Sequence, residues 1–212
     1  MGQYATYLTQ VRSLLHDPQG NGWSDTTLVS YINEGRRRVA KDTYCLRDLI
    51  TGLNLSAGVE RYLPQTFITP LPATTRGIAG VLNIYLYYGN TRYPLTYLPW
   101  GKFSMQLRYW QNLQQLPVAW SYIGANAIYV GPIPDQVYVT DWDVAYIPVD
   151  LTSDAQAEPI PLVYVDAVPW WAARLAKANE QSLGESKYFE QEYFAQLGLE
   201  TAAFARFRYA PR

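Results

Sequence analysis

Apolar residues recur at helical spacing near both ends of the chain and at strand spacing in its middle. A first helix is predicted over residues 4–16, where Leu8, Val11 and Leu15 lie three or four positions apart. The stretch at residues 17–22 is rich in turn-forming residues and ends this helix.

A second helix is predicted to begin after Ser24, because serine is a favourable N-cap residue. Asp25 then lies in the first turn, where the helix dipole favours a negative charge. The expected buried stripe of this helix comprises Leu28, Ile32, Gly35 and Val39.

The same helix carries a basic run, and its position opposite the apolar stripe of an amphipathic helix predicts that this run faces outward. Its members are Arg36, Arg37 and Arg38, with Lys41 one turn further on. Such a run is usually solvated or paired with acids, and Glu34 is one turn from Arg38. A basic interface that holds phosphate is the alternative to a solvated face.

The middle of the chain predicts short strands separated by turns. One hairpin joins residues 81–88 to 93–98, and a second joins 118–123 to 127–130. A last strand covers residues 136–147, and a short helix over 102–113 lies between the hairpins. Several short strands with regular turns predict a sandwich or a barrel.

The end of the chain returns to a helical pattern. A helix is predicted over residues 162–182, with Pro169 either kinking it or marking its true start. A last helix follows Gly184, with an apolar stripe at Phe189, Tyr193, Leu197 and Phe204. The closing tail alternates arginine with aromatic residues, a composition suited to docking; a frayed terminus is the alternative.

The predicted fold class is α+β. Helices from residues 1–50 and 151–205 must bury their apolar stripes, so we expect them to form one antiparallel bundle. Residues 51–150 hold nine of the 14 prolines and only ten of the 35 charged residues, and we expect them to form an inserted β-rich, sandwich- or barrel-like region. Residues 206–212 form the tail.

Composition favours a chain that associates with other chains. Charged residues make up 17% of the sequence, below the roughly 25% usual for soluble domains. Aromatic residues make up 15%, and aromatic side chains are enriched in protein interfaces. We therefore predict an obligate oligomer; a monomer with an aromatic-rich β core is the alternative.

The net charge of −1 and the pI near 5.8 give no basic footprint for tight binding of duplex DNA. Any contact with DNA is therefore expected to be transient, non-specific and non-adhesive. Cys45 is the only cysteine, which excludes an intrachain disulfide and a cysteine-rich metal site. The first 16 residues do not resemble a signal peptide, and no apolar run is long enough to span a bilayer.

Candidate catalytic chemistry is sparse. His16 is the only histidine and is expected to sit at a helix end, and no glycine-rich phosphate loop is present. Asp141 and Asp143 share one face of the last predicted strand, as paired carboxylates in a glycosidase or a cation site would. Strand alternation gives the same pattern for a solvated face or for an acidic channel lining. We expect no enzyme activity, cofactor or metal.

The order of the elements resembles the head-to-tail connector adaptors of tailed bacteriophages. The segments that carry the resemblance are SDTTLVSYINEGRRRVA, then LPVAWSY and AIYVGPIPD, then AYIPVDLTSD, and finally PLVYVDAVPWWAARLAKANEQSLGES. The Pro-x-Pro-Asp sequence forms a turn that ends one strand and starts another, and the joint order of these segments covers nearly the whole chain.

The resemblance implies a structural protein of the virion, assembled in the host cytoplasm, that forms a ring, normally a dodecamer. Such a ring lies beneath the capsid portal, extends the DNA channel for packaging retention and ejection, and presents a platform to the tail or nozzle protein. The C-terminal segment is implied to reach the portal through Arg206, Phe207, Arg208, Tyr209 and Arg212. A virion-associated cell-wall hydrolase or glycan-binding component, and another neck protein such as a tail terminator, remain alternatives.

Overall fold

The chain combines helices and strands in an α+β fold. A computed structural model describes residues 3–69, 71–110, 112–124 and 127–198. The described helices are α1 Gln3–Leu14, α2 Asp25–Thr43, α3 Pro64–Phe67, α4 Trp100–Trp110, α5 Leu162–Val165, α6 Ala167–Asn179 and α7 Leu183–Gln196. The strands are β1 Arg47–Leu55, β2 Arg61–Tyr62, β3 Thr75–Tyr88, β4 Thr91–Pro94, β5 Thr96–Tyr97, β6 Ala119–Ile123, β7 Ala127–Gly131 and β8 Tyr138–Pro148.

The chain divides into a helical unit and a strand-rich unit. The helical unit takes the chain up to Leu46 and resumes at Ile147, so it contains α1, α2 and α5 to α7. The strand-rich unit is Arg47–Tyr146 and contains two four-stranded sheets with α3 and α4.

The start of α2 confirms the prediction at Ser24. The Ser24 hydroxyl accepts a hydrogen bond from the backbone N–H of Thr27 at 3.2 Å, which satisfies one of the free donors of the first turn. The predicted stripe is buried, with Leu28 and Val39 fully inaccessible to solvent. At the other end, Tyr44 closes the helix in the left-handed conformation, at φ 50°.

The helical unit has one apolar core to which the first and last helices both contribute. Tyr7 and Val11 come from α1, and the rest include Val168 and Ala172 from α6 and Tyr193 from α7. Helix α2 comes close to α6 at Gly35, where an added Cβ would lie 2.9 Å from the Val168 carbonyl oxygen. The first and last helices therefore share one core. The antiparallel bundle of all of them stays a prediction.

Helices α6 and α7 run antiparallel. Successive contacts join Trp171 to Tyr193, Arg174 to Glu190, and Lys177 to Glu185. Pro169 is the third residue of α6, so of the two roles predicted for it, it marks the start of that helix.

The first sheet of the strand-rich unit has the order β1-β8-β3-β4 and the second has the order β2-β7-β6-β5. Both predicted hairpins are present, as β3 with β4 and β6 with β7. The expected strand over 93–98 is wrong in one respect, because it divides after Pro94. Leu95 donates to the Ile84 carbonyl, whereas the next residue, Thr96, donates to the Val118 carbonyl in the other sheet.

Strand β1 was not predicted. It is an edge strand that pairs with β8 and has its register shifted between Ile50 and Leu53, with Gly52 at φ 75°. Most of its side chains are exposed, so it lacks the apolar alternation by which strands are recognised.

Aromatic side chains form the core of the strand-rich unit. Trp142 is fully buried and contacts the rings of Tyr62 and Phe67, with centroids 6.4 and 5.0 Å away. The Tyr122 hydroxyl on β6 hydrogen-bonds the backbone of Val81 on β3, which ties the two sheets together. A sandwich or barrel arrangement of these sheets stays a prediction.

Candidate functional site

One arginine of the basic run of α2, Arg36, is buried in the helical unit rather than lying on an outer face. The Arg36 side chain is 1% exposed. Its Nε and Nη2 atoms donate to the two carboxylate oxygens of Glu158 at 2.8 and 3.0 Å. Its Nη1 atom donates to Asn33 Oδ1 at 3.0 Å and to the Val149 carbonyl at 2.7 Å. The expectation of an exposed basic face is therefore wrong for Arg36.

Asn33 extends this polar cluster to the backbone of Leu151. Its Nδ2 atom donates to the Leu151 carbonyl at 3.0 Å, and its Oδ1 atom accepts from the Leu151 N–H at 2.7 Å. Together, Asn33 and Arg36 bind residues 149, 151 and 158 of the segment that leads from β8 to α5. We call this segment, residues 149–161, the strap.

The other two arginines of the run are also paired. Arg37 forms ion pairs with Glu34 and Asp150. Glu34 therefore pairs with Arg37 instead of with Arg38, the partner predicted for it. Arg38 instead donates to Asp42 at 2.7 Å. Successive side chains of an α-helix are rotated by about 100° around its axis, so Arg36, Arg37 and Arg38 point in three different directions and reach different partners.

Asp42 connects Arg38 to α7. The buried Tyr193 hydroxyl donates to Asp42 Oδ2 at 3.1 Å. Burial raises the pKa of the Tyr193 phenol, and the neighbouring Asp42 carboxylate raises it further. This phenol therefore stays protonated and serves as a hydrogen-bond donor between helices.

The carboxylates of Asp141 and Asp143 form a second polar cluster, on β8. The two side chains are 5% and 7% exposed, so the expected solvated acidic face is wrong. Asp143 binds Arg47 through both oxygens and accepts from Asn83 Nδ2 at 2.8 Å. The hydrogen bond to Asp143 raises the pKa of the Arg47 guanidinium.

Asp141 has its own partners. It accepts from the Tyr87 hydroxyl at 2.7 Å and lies 3.3 Å from the Arg92 guanidinium, which stacks 3.9 Å above the Tyr85 ring. The hydrogen bond to Asp141 raises the pKa of the Tyr87 phenol. Because these donors bind the carboxylates of Asp141 and Asp143, the pair is unsuited to exchanging a proton with a substrate.

A shallow, open pocket of about 330 Å³ lies beside this cluster. Its lining residues are Arg47, Asp48, Leu49, Tyr85, Arg92 and Asp143. Two arginines and two carboxylates give the lining no net charge, and the pocket is far less enclosed than a small-molecule site.

No metal site is evident in the part of the chain that the structure describes. Within it, no group of three or more His, Cys, Asp and Glu residues could hold an ion. The same residues contain no helix with the length and apolar character needed to cross a membrane. His16 lies beyond the end of α1 at φ 55°, near its predicted position.

Several large apolar side chains are exposed in the part of the chain that the structure describes. Leu162 and Val163 on α5 are 84% and 77% exposed. Met105 and Tyr109 lie one turn apart on α4 and are each 74% exposed. Side chains of this size at the surface are typical of protein interfaces.

Sequence reasoning missed Asn33, Glu158, Arg47 and Arg92 as members of the two clusters. A signal for Glu158 was available, because residues 147–173 contain four acidic residues and no basic one, so any of these acids that became buried needed a cationic partner from another part of the chain. The expected docking tail of Arg206, Phe207, Arg208, Tyr209 and Arg212 lies outside the described residues.

Comparison with known proteins gives a family for almost the whole chain. The family model of the SU10 adaptor protein matches residues 3–211. No curated protein is similar enough to count as a match. The family is one of structural phage adaptors, which makes the protein a virion component. The chain belongs to the SU10 adaptor protein family.

Proposed function

We propose that this chain joins the capsid portal to the tail of a phage virion and continues the DNA channel between them. The observation that carries the proposal is the match to an adaptor family over residues 3–211. The arrangement of polar side chains supports it, because the arginines and carboxylates at the two clusters bind one another rather than forming an open reactive site.

The protein acts as a homo-oligomeric ring, with twelve copies to match the portal. A closed ring needs two different faces on each subunit, one for each neighbour. Apolar side chains are exposed in both units, at Leu162 and Val163 in one and at Met105 and Tyr109 in the other. These residues supply apolar surface for contacts with neighbouring copies, the portal or a tail protein.

Duplex DNA passes through the ring without being held. A protein that grips DNA neutralises many phosphates with lysine and arginine. This chain has a net charge of −1, and the arginines of α2 are engaged with acidic side chains. Low adhesion suits a channel through which a genome has to move quickly in both directions.

The C-terminal residues Arg206, Phe207, Arg208, Tyr209 and Arg212 contact the portal. Arginine and aromatic residues are those that most often dominate binding energy in interfaces. Deletion of residues 206–212 should abolish binding to the portal while the thermal unfolding transition is unchanged. Unaltered portal binding by the deletion variant would contradict this role.

The proposal as a whole is tested by mixing the purified protein with purified portal and imaging the product. A portal ring with one additional tier of density is the expected result. The double variant Met105→Ser, Tyr109→Ser removes exposed apolar surface without removing core contacts. It therefore tests whether this surface contributes to the ring, while the fold of the subunit is unchanged. A chain that stays monomeric and ignores the portal at high concentration would rule out the adaptor role.

The hydrolase alternative has lost the observation that motivated it. Asp141 and Asp143 are held by Arg92 and Arg47, so neither acts as an open acid or base. We expect neither the wild type nor the Asp141→Asn, Asp143→Asn double variant to clear bacterial cell walls. Clearing by the wild type alone would restore the hydrolase.

A further inference from the structure

We propose that the exposed side of α4 in one copy of this chain packs against the exposed side of α5 in a neighbouring copy. We call these the α4 surface and the α5 surface. Their exposed members are Met105, Tyr109, Lys102 and Arg108 on α4, and Leu162, Val163 and Asp166 on α5. The proposal rests on the proposed homo-oligomeric ring and names the two faces that join its subunits.

Helix α4 is anchored on one side and open on the other. Phe103 is fully buried and contacts the rings of Trp100 and Trp110. Met105 and Tyr109 lie one turn apart, and each is 74% exposed. The helix therefore presents two neighbouring large apolar side chains to a partner.

The charged members of the α4 surface are both basic. Lys102 and Arg108 lie three positions before and after Met105, so they flank the apolar pair. Neither side chain has an ion-pair partner among the residues that the structure describes. Residues 61–134 contain five basic residues and no acidic one. The α4 surface is therefore apolar and cationic, and its partner has to supply the acid.

The α5 surface is apolar and anionic. Leu162 and Val163 are 84% and 77% exposed, whereas Val165 is 6% exposed and belongs to the core of the helical unit. Asp166 follows α5 with helical backbone angles, φ −67° and ψ −17°, so it lies one turn beyond Leu162. Its exposed carboxylate has no hydrogen bond or ion pair within the described part of the chain.

The α4 surface and the α5 surface are complementary. Each offers two large apolar side chains, and the unpaired charges beside them are positive on α4 and negative on α5. Both surfaces are exposed in a single chain, so each is open to another copy. A contact between two different surfaces leaves every copy with one of each, which is the heterologous arrangement that closes a ring.

Duplex DNA is the other partner to which an unpaired lysine and arginine can bind. Proteins that hold DNA neutralise many phosphates with such cations. The α4 surface instead has two cations beside a methionine and a tyrosine, and methionine, tyrosine and arginine are enriched in protein interfaces. A protein surface with apolar and acidic side chains is therefore the better fit.

Disulfide trapping between two full-length chains tests the contact. In a Cys45→Ser background, a Gln106→Cys chain is mixed at high concentration with a Val163→Cys chain that carries a size tag. The control mixture replaces Val163→Cys by Leu183→Cys, because Leu183 is an apolar side chain on α7 that is also 69% exposed. Both mixtures are oxidised briefly, and the tag separates heterodimers from homodimers on non-reducing gels.

We expect heterodimers with Val163→Cys to form about tenfold faster than those with Leu183→Cys, because docking raises the effective concentration of the two thiols. Equal rates would overturn the proposal. Homodimers of either single-cysteine chain that form faster than the heterodimer would also overturn it, since they indicate a symmetric contact.

A second experiment leaves the cysteines out and disables one surface at a time. Met105→Ser with Tyr109→Ser removes the apolar part of the α4 surface, and Leu162→Ser with Val163→Ser removes that of the α5 surface. Each double variant alone should stay monomeric in analytical ultracentrifugation. Their mixture should form dimers and nothing larger, because one intact surface of each kind remains. Self-association of either double variant to the wild-type extent would contradict the contact.

The charges are tested in the trapping experiment. Asp166→Lys on the Val163→Cys chain should slow heterodimer formation several-fold at low salt and by less at high salt. Adding Lys102→Asp and Arg108→Asp to the Gln106→Cys chain should restore the rate. If the swapped charges restore nothing, Asp166 does not face the α4 surface. Wild type that retards duplex DNA, with Lys102→Gln, Arg108→Gln failing to do so, would assign the surface to DNA instead.

Failure of this contact can be told apart from failure of the adaptor role. Added density on the portal, together with equal trapping rates, would leave the adaptor role standing and remove the contact between α4 and α5. Rapid trapping of Gln106→Cys with Val163→Cys by a chain that ignores the portal would establish the contact and remove the adaptor role.

Discussion

Arg36 and Glu158 form a buried, two-point ion pair although they are 122 positions apart in the chain. The pair joins α2 to the strap, at the point where the chain returns from the strands to the last helices. Asn33 adds hydrogen bonds to the strap backbone, so two side chains of α2 determine where the strap lies.

Removing Glu158 should strongly destabilise the helical unit. In Glu158→Ala the Arg36 charge loses its partner at a buried site, which costs about 3–5 kcal/mol in comparable pairs. The free energy of unfolding from urea titration measures the loss. Arg37→Ala is the matched control, because its partners are more exposed and exposed ion pairs contribute less than about 1 kcal/mol.

The double variant Arg36→Met, Glu158→Leu should recover most of that stability, because well-packed apolar residues can replace a buried pair at little cost. A double variant as unstable as Glu158→Ala would show that the hydrogen bonds of Arg36 to Asn33 and Val149 matter more than the pairing of charges.

Gly35 should not tolerate a side chain. Alanine is favoured over glycine within helices by about 1 kcal/mol, yet in Gly35→Ala the new Cβ would meet the Val168 carbonyl oxygen at 2.9 Å. Backbone cannot yield as a flexible side chain does, so we expect a net loss of about 1–3 kcal/mol. Thermal unfolding measures it.

Gly184 in α7 provides the comparison for Gly35. An added Cβ there meets no atom within 4 Å, so Gly184→Ala should be neutral or stabilising. Similar losses in both variants would mean that close packing of α2 on α6 is not the reason for glycine at position 35.

Asp17 should contribute to stability in a pH-dependent way. Burial opposes its charge, but hydrogen bonds from the backbone N–H groups of Gly22, Trp23 and Asn21 outweigh this and lower the pKa of its carboxyl. A carboxyl with a lowered pKa in the folded state stabilises it above the unfolded pKa, and this contribution is lost as the pH falls through the folded pKa.

Wild type should therefore be more stable than Asp17→Asn at pH 6, and the difference should shrink once the pH falls below about 4. Chemical denaturation at a series of pH values measures the difference. A stability difference between the two proteins that stays constant down to pH 2 would show that the hydrogen-bonding geometry of residue 17, and not its charge, stabilises the turn that follows α1.

Arg47→Ala should destabilise the strand-rich unit by more than is usual for the loss of a half-exposed side chain. The Arg47 side chain is 52% exposed, but its partner Asp143 is 7% exposed and would keep only Asn83 as a hydrogen-bond donor from the cluster described above. Leaving a buried acceptor poorly satisfied costs about 1–3 kcal/mol. Urea denaturation checks the loss.

Arg47→Lys distinguishes the charge from the geometry at this site. Lysine keeps the charge but cannot donate through a planar fork to both carboxylate oxygens, so we expect partial recovery. Full recovery would show that charge alone holds Asp143.

Local patterns in the sequence determined much of the architecture. The cap at Ser24, the buried stripe of α2, both hairpins and the start of the last helices are set by residues near one another in the chain. The family resemblance also followed from the order of these segments, and the family match over residues 3–211 confirms it.

The partners of the charged residues were decided by tertiary structure alone. The pattern of α2 could not tell that Arg36 points inward, because its acidic partner lies 122 positions away. The exposed strand β1 supplies Arg47, and β4 supplies Arg92, to carboxylates that alternation alone assigns to a solvated face. Helix caps and hairpins depend on contacts over a few residues, whereas the cost of burying a charge depends on which distant segment folds against it.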